Sequence, residues 1–247
     1  MNDQQWIVVP AAGFGERIGG DIPKQYLTLG EHSVLQITLS KLLLVPDVQG
    51  IVVVLAADDS LWSSVPASSD PRVHTCVGSD TRAESVVAGL EYVSDNAPVD
   101  SWVFVHDAAR PLIHISDIQR LSDAVYNGGF VGGILAARVQ DTLKQADEYY
   151  CIERSVSRES LWQAQTPQLF RVGSLLDALR SALFAKKSTD APEATDTSIT
   201  ITDEASAMEF AGHEPLLVEA LEPNFKITRP VDLRIAAAIL NDEVQPS

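Results

Sequence analysis

Short apolar runs alternate along the chain with segments of helical periodicity. Five of these runs are continuous in branched or aromatic residues, as in strands covered on both faces, and they span residues 6–10, 50–56, 72–77, 101–107 and 132–139. Between them, apolar residues recur at helical spacing over about 33–45, 58–65, 81–94 and 116–127. The alternation predicts an α/β fold: a three-layer sandwich around a mostly parallel, Rossmann-like sheet.

Two later segments depart from this alternation. Polar and apolar residues alternate over 138–159 around the sequence QADE, which predicts a protruding β-hairpin arm. Residues 184–200 are rich in Ser, Thr, Ala and Asp without hydrophobic periodicity, so a mobile surface loop is expected. A short helix over 203–212, a strand over 215–220 and a last helix over 231–243 should follow. Since no linker interrupts the pattern, we treat 1–247 as a single domain.

The composition excludes several classes of function. With 34 acidic and 18 basic residues the formal net charge is −16, whereas nucleic-acid binding needs clustered cations, so no nucleic-acid partner is expected. No apolar run approaches the roughly 20 residues of a membrane helix, and the first residues do not form a secretion signal. The two cysteines, Cys76 and Cys151, have no metal-binding or disulfide spacing and are expected to be packed, reduced thiols. We therefore expect a cytoplasmic protein without a membrane partner.

A glycine-rich segment that carries two of the few cations follows the first predicted strand. It reads VVPAAGFGERIGGDIPKQY over residues 8–26 and contains Arg17 and Lys24. A dinucleotide fingerprint would need its third glycine one position earlier, and a P-loop would need G-K-[ST]. Neither motif is met, but glycine amides beside two cations can bind polyphosphate at the carboxyl end of a strand. The alternative is an ordinary turn with surface cations.

Other candidate residues also follow predicted strands. Asp107 follows the fourth strand and could hold Mg²⁺ through one oxygen or cap the next turn; both interpretations stay open. His106 alternates with apolar strand residues, which favours a partly buried histidine with satisfied hydrogen bonds. Ser79 and Asp80 suit the N-terminus of a helix, or they could contact the edge of a base. Lys226 could be an ordinary exposed cation.

Seven motifs occur in order over about residues 6–240: PAAGFGERIGGDIPKQY, GSDTRAESV, VHDAARP, DTLK, LWQAQTPQLF, TDEASAME and NFKITRP. In the order and approximate spacing of these motifs, the chain resembles the 2-C-methyl-D-erythritol 4-phosphate cytidylyltransferases. The resemblance implies a nucleotidyltransferase sheet and a reaction of CTP with 2-C-methyl-D-erythritol 4-phosphate. The products would be 4-diphosphocytidyl-2-C-methyl-D-erythritol and pyrophosphate, formed by in-line attack with Mg²⁺ or another divalent cation. It also implies a homodimer in which the arm over 138–159 embraces the second subunit.

The resemblance assigns roles to individual residues. Catalytic roles would belong to five charged residues: Arg17, Lys24, Asp107 (also the metal ligand), Arg158 and Lys226. Substrate contacts would come from a larger set: Ala11, Ala12, Gly13, Phe14, Gly15, Ser79, Asp80, Ser85, Ala108, Arg110, Thr142 and Thr166. Thr142, and as a further alternative Arg110, would serve the partner's site.

Two other functions stay open from the sequence. The first is a cytidylyltransferase that acts on another polyol phosphate, such as ribitol 5-phosphate, with the same chemistry. The second is a non-catalytic nucleotide-binding module. The presence of both Arg17 and Lys24 argues against the second function, because nucleotide sensing needs affinity but no charge aimed at a transition state.

Overall fold

The computed structural model of the chain describes residues 4–13, 22–189 and 201–244. The strands in these ranges are β1 (Gln5–Pro10), β2 (Thr28–Leu29), β3 (His32–Ser33), β4 (Val48–Leu55), β5 (Val73–Val77), β6 (Trp102–Val105), β7 (Gly132–Arg138), β8 (Leu143–Ala146), β9 (Ile152–Val156), β10 (Trp162–Arg171) and β11 (Leu216–Glu219). The helices are α1 (Val34–Leu42), α2 (Arg82–Asn96), α3 (Ile115–Gly128), α4 (Val172–Thr189), α5 (Glu204–Phe210) and α6 (Pro230–Val244).

Within the described residues, seven strands form the central sheet in the order β11-β7-β10-β6-β1-β4-β5. Strand β10 runs antiparallel to β6 and β7, and the other neighbours pair in parallel. The prediction of an α/β fold with a mostly parallel sheet is therefore confirmed. Because β1 lies inside the sheet, its carboxyl end stands beside those of β4 and β6 at one edge, where ligands of such folds bind.

Alternation of side chains along β1 divides the core into two layers. Ile7 and Val9 pack on the face covered by α1 and α3, whereas Trp6 and Val8 pack on the face covered by α2, α4 and α5. Helix α2 lies so close to the sheet that a Cβ atom on Gly89 would come within 2.5 Å of Val8 Cγ1. These contacts give the three layers predicted from the sequence.

Two helix starts determine which side chains reach the edge of the sheet. The Thr81 hydroxyl accepts the N–H of Glu84 and makes Arg82 the first residue of α2. Asp203 caps α5 in the same way through the N–H of Ser206, so Glu204 is the first residue of that helix. Both caps follow the preference for Thr and Asp at this position.

The five predicted strands and the helices near 33–45, 81–94 and 116–127 are confirmed, as are the three elements predicted after residue 200. The helix predicted over 58–65 is wrong. Asp59 instead accepts the N–H groups of Leu61 and Trp62, and two 3-10 segments follow, at Trp62–Ser64 and Pro66–Ser69. Such local side-chain bonds to the backbone compete with a regular helix.

Strand β10 and helix α4 were not among the predicted elements. In β10 the pairing register with β7 shifts between Ala164 and Gln168. The proline in this irregular part, Pro167, is not typical of a strand inside a sheet. Helix α4 continues to Thr189, so the loop predicted over 184–200 is wrong in its first part, and residues 190–200 lie outside the described ranges.

The segment between β7 and β10 contains a hairpin. Strands β8 and β9 pair antiparallel in a sheet of their own, and Tyr149, Tyr150 and Ile152 are exposed by 76%, 93% and 67%. Its function as a dimerisation arm stays a prediction. Cys151 is also exposed here, so the expectation that it is packed is wrong, while Cys76 is half-buried and both thiols are free. No helix in the described part of the chain is long and apolar enough to cross a membrane.

Candidate active site

A cleft of about 570 Å³ opens at the carboxyl edge of the sheet. Its walls come from the ends of β1, β4, β5 and β6 and from the start of α2. Ten predicted site residues line it: Ala11, Ala12, Gly13, Lys24, Ser79, Asp80, Ser85, Asp107, Ala108 and Lys226. Parallel strands bring these residues together although they are distant in sequence. Three predicted residues, Phe14, Gly15 and Arg17, lie outside the described ranges.

Gln25 connects the lysine of the first loop to the end of β1. Its Nε2 donates to the carbonyl oxygens of Ala11, at 2.6 Å, and Gly13, at 3.2 Å, and the side chain is buried. Because the C=O and N–H of a trans peptide point in opposite directions, the N–H of Ala12 faces away from Gln25. Gln25 therefore orients the backbone beside Lys24. Sequence reasoning did not single out Gln25, although it follows Lys24 directly.

Asp107 is a buried carboxylate held by three cations. Its Oδ1 lies 3.0 Å from Arg82 Nε, and its Oδ2 lies 3.2 Å from Arg110 Nε and 3.0 Å from Lys226 Nζ. Burial alone would raise the pKa of Asp107, but the charges of Arg82, Lys226 and Arg110 lower it well below the usual range. Asp107 is thus an ionised centre around which these cations gather.

Arg82 connects Asp107 to a second buried acid. Its Nη1 and Nη2 donate to the two carboxylate oxygens of Glu204, at 2.7 and 3.1 Å, and Glu204 is completely buried. Burial lowers the pKa of Arg82, but the charges of Glu204 and Asp107 outweigh it and raise that pKa above its ordinary value. Sequence reasoning did not assign a role to either residue. A signal was present, because each follows a helix cap inside a motif of the resemblance.

Hydrogen bonds below the cleft fix the backbone of Asp107. Its N–H donates to Thr166 Oγ1 at 3.0 Å. His106 Nε2 lies 3.1 Å from the carbonyl oxygen of Arg110, which can only accept, so Nε2 carries the proton and Nδ1 accepts from the Thr166 hydroxyl at 3.1 Å. Asn224 Nδ2 donates to the carbonyl of Thr166 at 2.7 Å. His106 is therefore satisfied as expected, but fully buried, and substrate binding by Thr166 stays a prediction.

The loop after β5 is closed by its own hydrogen bonds. Ser85 Oγ accepts the N–H of Ser79 and donates to its carbonyl, both at 3.1 Å. At Gly78 an added Cβ atom would lie 2.7 Å from Ala12 Cβ and 2.8 Å from Ser85 Oγ, so glycine is required for this approach to the end of β1. The loop after β5 thus lies against Ala12 at the end of β1, and contact of Ser79, Asp80 or Ser85 with a base stays a prediction.

Four predicted site residues within the described ranges do not line the cleft. Arg110 and Thr166 contact Asp107, which does line it, whereas Thr142 and Arg158 lie away from it. Thr142 and Arg158 are exposed and flank the hairpin, where Arg158 Nη1 donates to the carbonyl of Gln140. Arg110 is buried in its own chain, where its Nη1 also donates to the carbonyl of Asn224 at 2.7 Å. The alternative that placed Arg110 in a partner's site stays a prediction.

The residues around Asp107 fit a divalent cation only together with a bound phosphate group. Within the described residues no three His, Cys, Asp or Glu side chains form a group that could hold a metal. Three cations surround Asp107, so the local charge opposes a metal held by protein atoms alone. Oδ1 accepts from Arg82 whereas Oδ2 contacts two cations, which leaves Oδ1 able to join a metal that phosphate oxygens already bind. Asp107 as a metal ligand stays a prediction.

Comparison with known proteins decides the family. Residues 6–242 match the family model of 2-C-methyl-D-erythritol 4-phosphate cytidylyltransferase, IspD. The chain belongs to this family. It is 47% identical over 234 residues to the protein of that name from Ectopseudomonas mendocina (strain ymp), and the match covers 94% of each chain. The protein of that name from Serratia proteamaculans (strain 568) is 43% identical, with 94% of this chain and 92% of the relative covered.

Solved structures agree with this assignment. The crystal structure of a 4-diphosphocytidyl-2C-methyl-D-erythritol synthase superposes with a TM-score of 0.79 at 34% identity, and 96% of this chain and 98% of the other are covered. The family member from Francisella tularensis gives a TM-score of 0.78 at 34% identity, with 94% and 98% covered. The resemblance inferred from the seven motifs and the α/β fold of the IspD family are thereby confirmed.

The buried histidine makes the stability of the fold depend on pH. Burial lowers the pKa of His106 from 6.5 to about 4, so the unfolded chain binds more protons between these pH values. The free energy of unfolding should therefore fall as pH falls from 6.5 to 4, by up to about 3 kcal/mol from this group. Urea titrations of the parent chain and of His106→Gln across this range measure the effect.

The variant His106→Gln keeps an N–H near the position of Nε2 but cannot titrate. The difference in the free energy of unfolding between the parent chain and the variant should therefore shrink as the pH is lowered. The titration of carboxylates contributes similarly to both proteins. Parallel stability curves for the two proteins would contradict the assignment of a neutral, buried imidazole.

Proposed function

We propose that the chain is a CTP-dependent cytidylyltransferase that converts CTP and 2-C-methyl-D-erythritol 4-phosphate to 4-diphosphocytidyl-2-C-methyl-D-erythritol and pyrophosphate. The observation that carries this proposal is the convergence of Arg82, Arg110 and Lys226 on Asp107 in a cleft that Lys24 also lines. Two polyanionic substrates can react there because cations are already in place. Membership of the family supplies the identity of the substrates.

The reaction needs positioning and positive charge more than proton transfer. An oxygen of the acceptor phosphate, already ionised at neutral pH, attacks the α-phosphorus of CTP, and the bond from this phosphorus to the bridging oxygen of the leaving pyrophosphate breaks. Negative charge builds up on the oxygens of the α-phosphate and of the leaving group, so cations stabilise the transition state. His106 is buried and neutral, which agrees with a reaction that needs no general base.

The two substrates occupy different parts of the cleft in this proposal. Lys24, together with Arg17, binds the triphosphate beside the backbone amides that follow β1. Lys226 and Arg110 attract the acceptor phosphate from their positions at Asp107. The loop of Ser79 and Asp80 meets the end of β1 at Gly78 and forms the nucleoside end, where the small side chains of Ala11 and Ala12 leave room for cytosine.

A divalent cation belongs to the proposal as part of the metal–CTP complex. Mg²⁺ or another divalent ion bound to the triphosphate would neutralise charge on the leaving group. The structural support is the single carboxylate of Asp107, whose Oδ1 has remaining acceptor capacity, as described above.

A homodimer completes the proposed site. The hairpin of β8 and β9 forms a sheet separate from the central one and exposes Tyr149, Tyr150 and Ile152, which suits contact with a second subunit. Thr142 would then reach the partner's acceptor site. We also propose a cytoplasmic location, because an exposed free thiol at Cys151 suits a reducing compartment.

The reaction is tested by the release of pyrophosphate. The purified chain with Mg²⁺ should release pyrophosphate from CTP in the presence of 2-C-methyl-D-erythritol 4-phosphate. It should release little with UTP or ATP as donor, or with ribitol 5-phosphate as acceptor. A higher kcat/KM with ribitol 5-phosphate would contradict the proposed acceptor, and no release with any pair would contradict catalysis itself.

In the same assay Lys24→Ala should lose turnover by about 10²- to 10³-fold, because removal of one charged group aimed at a transition state costs on that scale. Binding of CTP, followed by calorimetry, should fall much less. Lys41→Ala on α1, away from the cleft, is the matched control and should stay near the parent rate. Turnover of Lys24→Ala within a few-fold of the parent would show that Lys24 is not catalytic.

Deletion of residues 142–156 tests the dimer. Because it removes the exposed hairpin together with Thr142, the variant should sediment as a monomer and lose pyrophosphate release. Circular dichroism and thermal unfolding check that the central sheet remains folded. A folded monomer with full activity would refute the role of the arm.

A further inference from the structure

The guanidinium of Arg82 lies between two protein carboxylates. Its Nε donates to Asp107 Oδ1 at 3.0 Å, and both Nη atoms donate to Glu204. Glu204 is completely buried and does not line the cleft. The guanidinium is therefore fixed between the first residue of α5 and the carboxylate at the centre of the site.

Stability alone is a weak explanation for this buried pair. A buried carboxylate is costly to desolvate, and buried ion pairs can often be replaced by apolar side chains of similar volume without loss of stability. The bond geometry points to another role, because two parallel N–H···O bonds fix the orientation of a guanidinium more strictly than a single charge contact does. Glu204 thus determines where Arg82 presents its Nε.

The orientation of Arg82 is transmitted to two other cations through Asp107. Arg82 holds Oδ1, so Oδ2 is directed to Lys226 Nζ at 3.0 Å and Arg110 Nε at 3.2 Å. These cations come from α2, from the loop after β6 and from the segment before α6, so no local element fixes their spacing. The carboxylate of Asp107 is the contact that they share.

We infer that Glu204 and Arg82 are positioning residues for the acceptor phosphate. Glu204 orients Arg82, Arg82 orients Asp107, and Asp107 keeps Lys226 and Arg110 at the place where that phosphate binds. This inference rests on the proposed function. In this inference Arg82 acts through Asp107, to which its Nε donates. Direct binding of CTP through the remaining Nη hydrogens of Arg82 is the alternative, and the affinity for CTP distinguishes the two.

Glu204→Gln is the first test. Glutamine keeps the volume but replaces one acceptor oxygen with an NH2 group, so it cannot accept one bond on each of two oxygens as Glu204 does. With saturating Mg²⁺ and CTP, kcat/KM for 2-C-methyl-D-erythritol 4-phosphate should fall by about 10- to 100-fold, the scale expected when reacting groups are misplaced by about 1 Å. The dissociation constant of Mg²⁺–CTP, measured by calorimetry, should stay within about 2-fold of the parent value, because the residues that bind the triphosphate are untouched.

The double variant Arg82→Met/Glu204→Met separates positioning from stability. It removes both charges at nearly constant volume, so it should fold with a thermal midpoint close to that of the parent. A purely structural pair predicts recovered activity, whereas positioning predicts that kcat/KM for the acceptor stays low. If Glu204→Gln alone does not fold, the double variant decides the question.

Asp117→Asn provides a matched control. Asp117 is also a buried acid, 1% exposed, and its Oδ1 lies 3.3 Å from Arg120 Nη2, outside the cleft. The variant should lose stability but keep the parent kcat/KM for the acceptor.

The outcomes separate the inference from the proposed function. A parent chain that releases no pyrophosphate contradicts both. An active parent with a fully active double variant overturns the positioning role alone. A loss of CTP affinity that matches the loss of acceptor efficiency would assign Arg82 to the nucleotide instead, and would also overturn the inference.

Discussion

The cleft depends on one buried carboxylate that holds three cations together. Without Asp107, the charges of Arg82, Arg110 and Lys226 would repel one another, and no secondary-structure element fixes all three. Asp107 keeps all three within 3.2 Å of its carboxylate oxygens before any substrate arrives. Cations held in advance need no rearrangement when charge develops in a reaction, which is the basis of electrostatic preorganisation.

The net negative charge of the chain does not oppose the binding of phosphate groups in the cleft. The formal net charge is −16, yet exposed charges are screened beyond about 8 Å at physiological ionic strength. A phosphate in the cleft therefore responds mainly to the groups that it touches. The surroundings of Asp107 strengthen this local field. Thr166 accepts the N–H of Asp107 and is itself bonded to His106, and burial reduces screening by water.

Sequence patterns predicted most of the central sheet and its edge, because buried parallel strands leave a strong apolar signal. That edge accounts for the positions of Lys24 and Asp107 in the cleft, whereas Lys226 was assigned to the site only by the resemblance to the family. The contact between Arg82 and Glu204 had no comparable signal, because the two residues are 122 positions apart and meet through helix starts on one side of the sheet. The role of Gln25 was not predicted for a related reason. Its side chain donates to backbone carbonyl oxygens, and no sequence spacing indicates such bonds.

The charge state of Asp107 tests the central claim most directly. A ¹³C NMR titration of the side-chain carboxyl groups, assigned with Asp107→Asn, follows this residue as the pH is lowered. The account predicts that Asp107 stays ionised well below the ordinary carboxyl pKa of about 3.9, because three cations stabilise its charge. A carboxyl group that titrates at that ordinary value would show that the cations are not gathered around it, and would contradict the account.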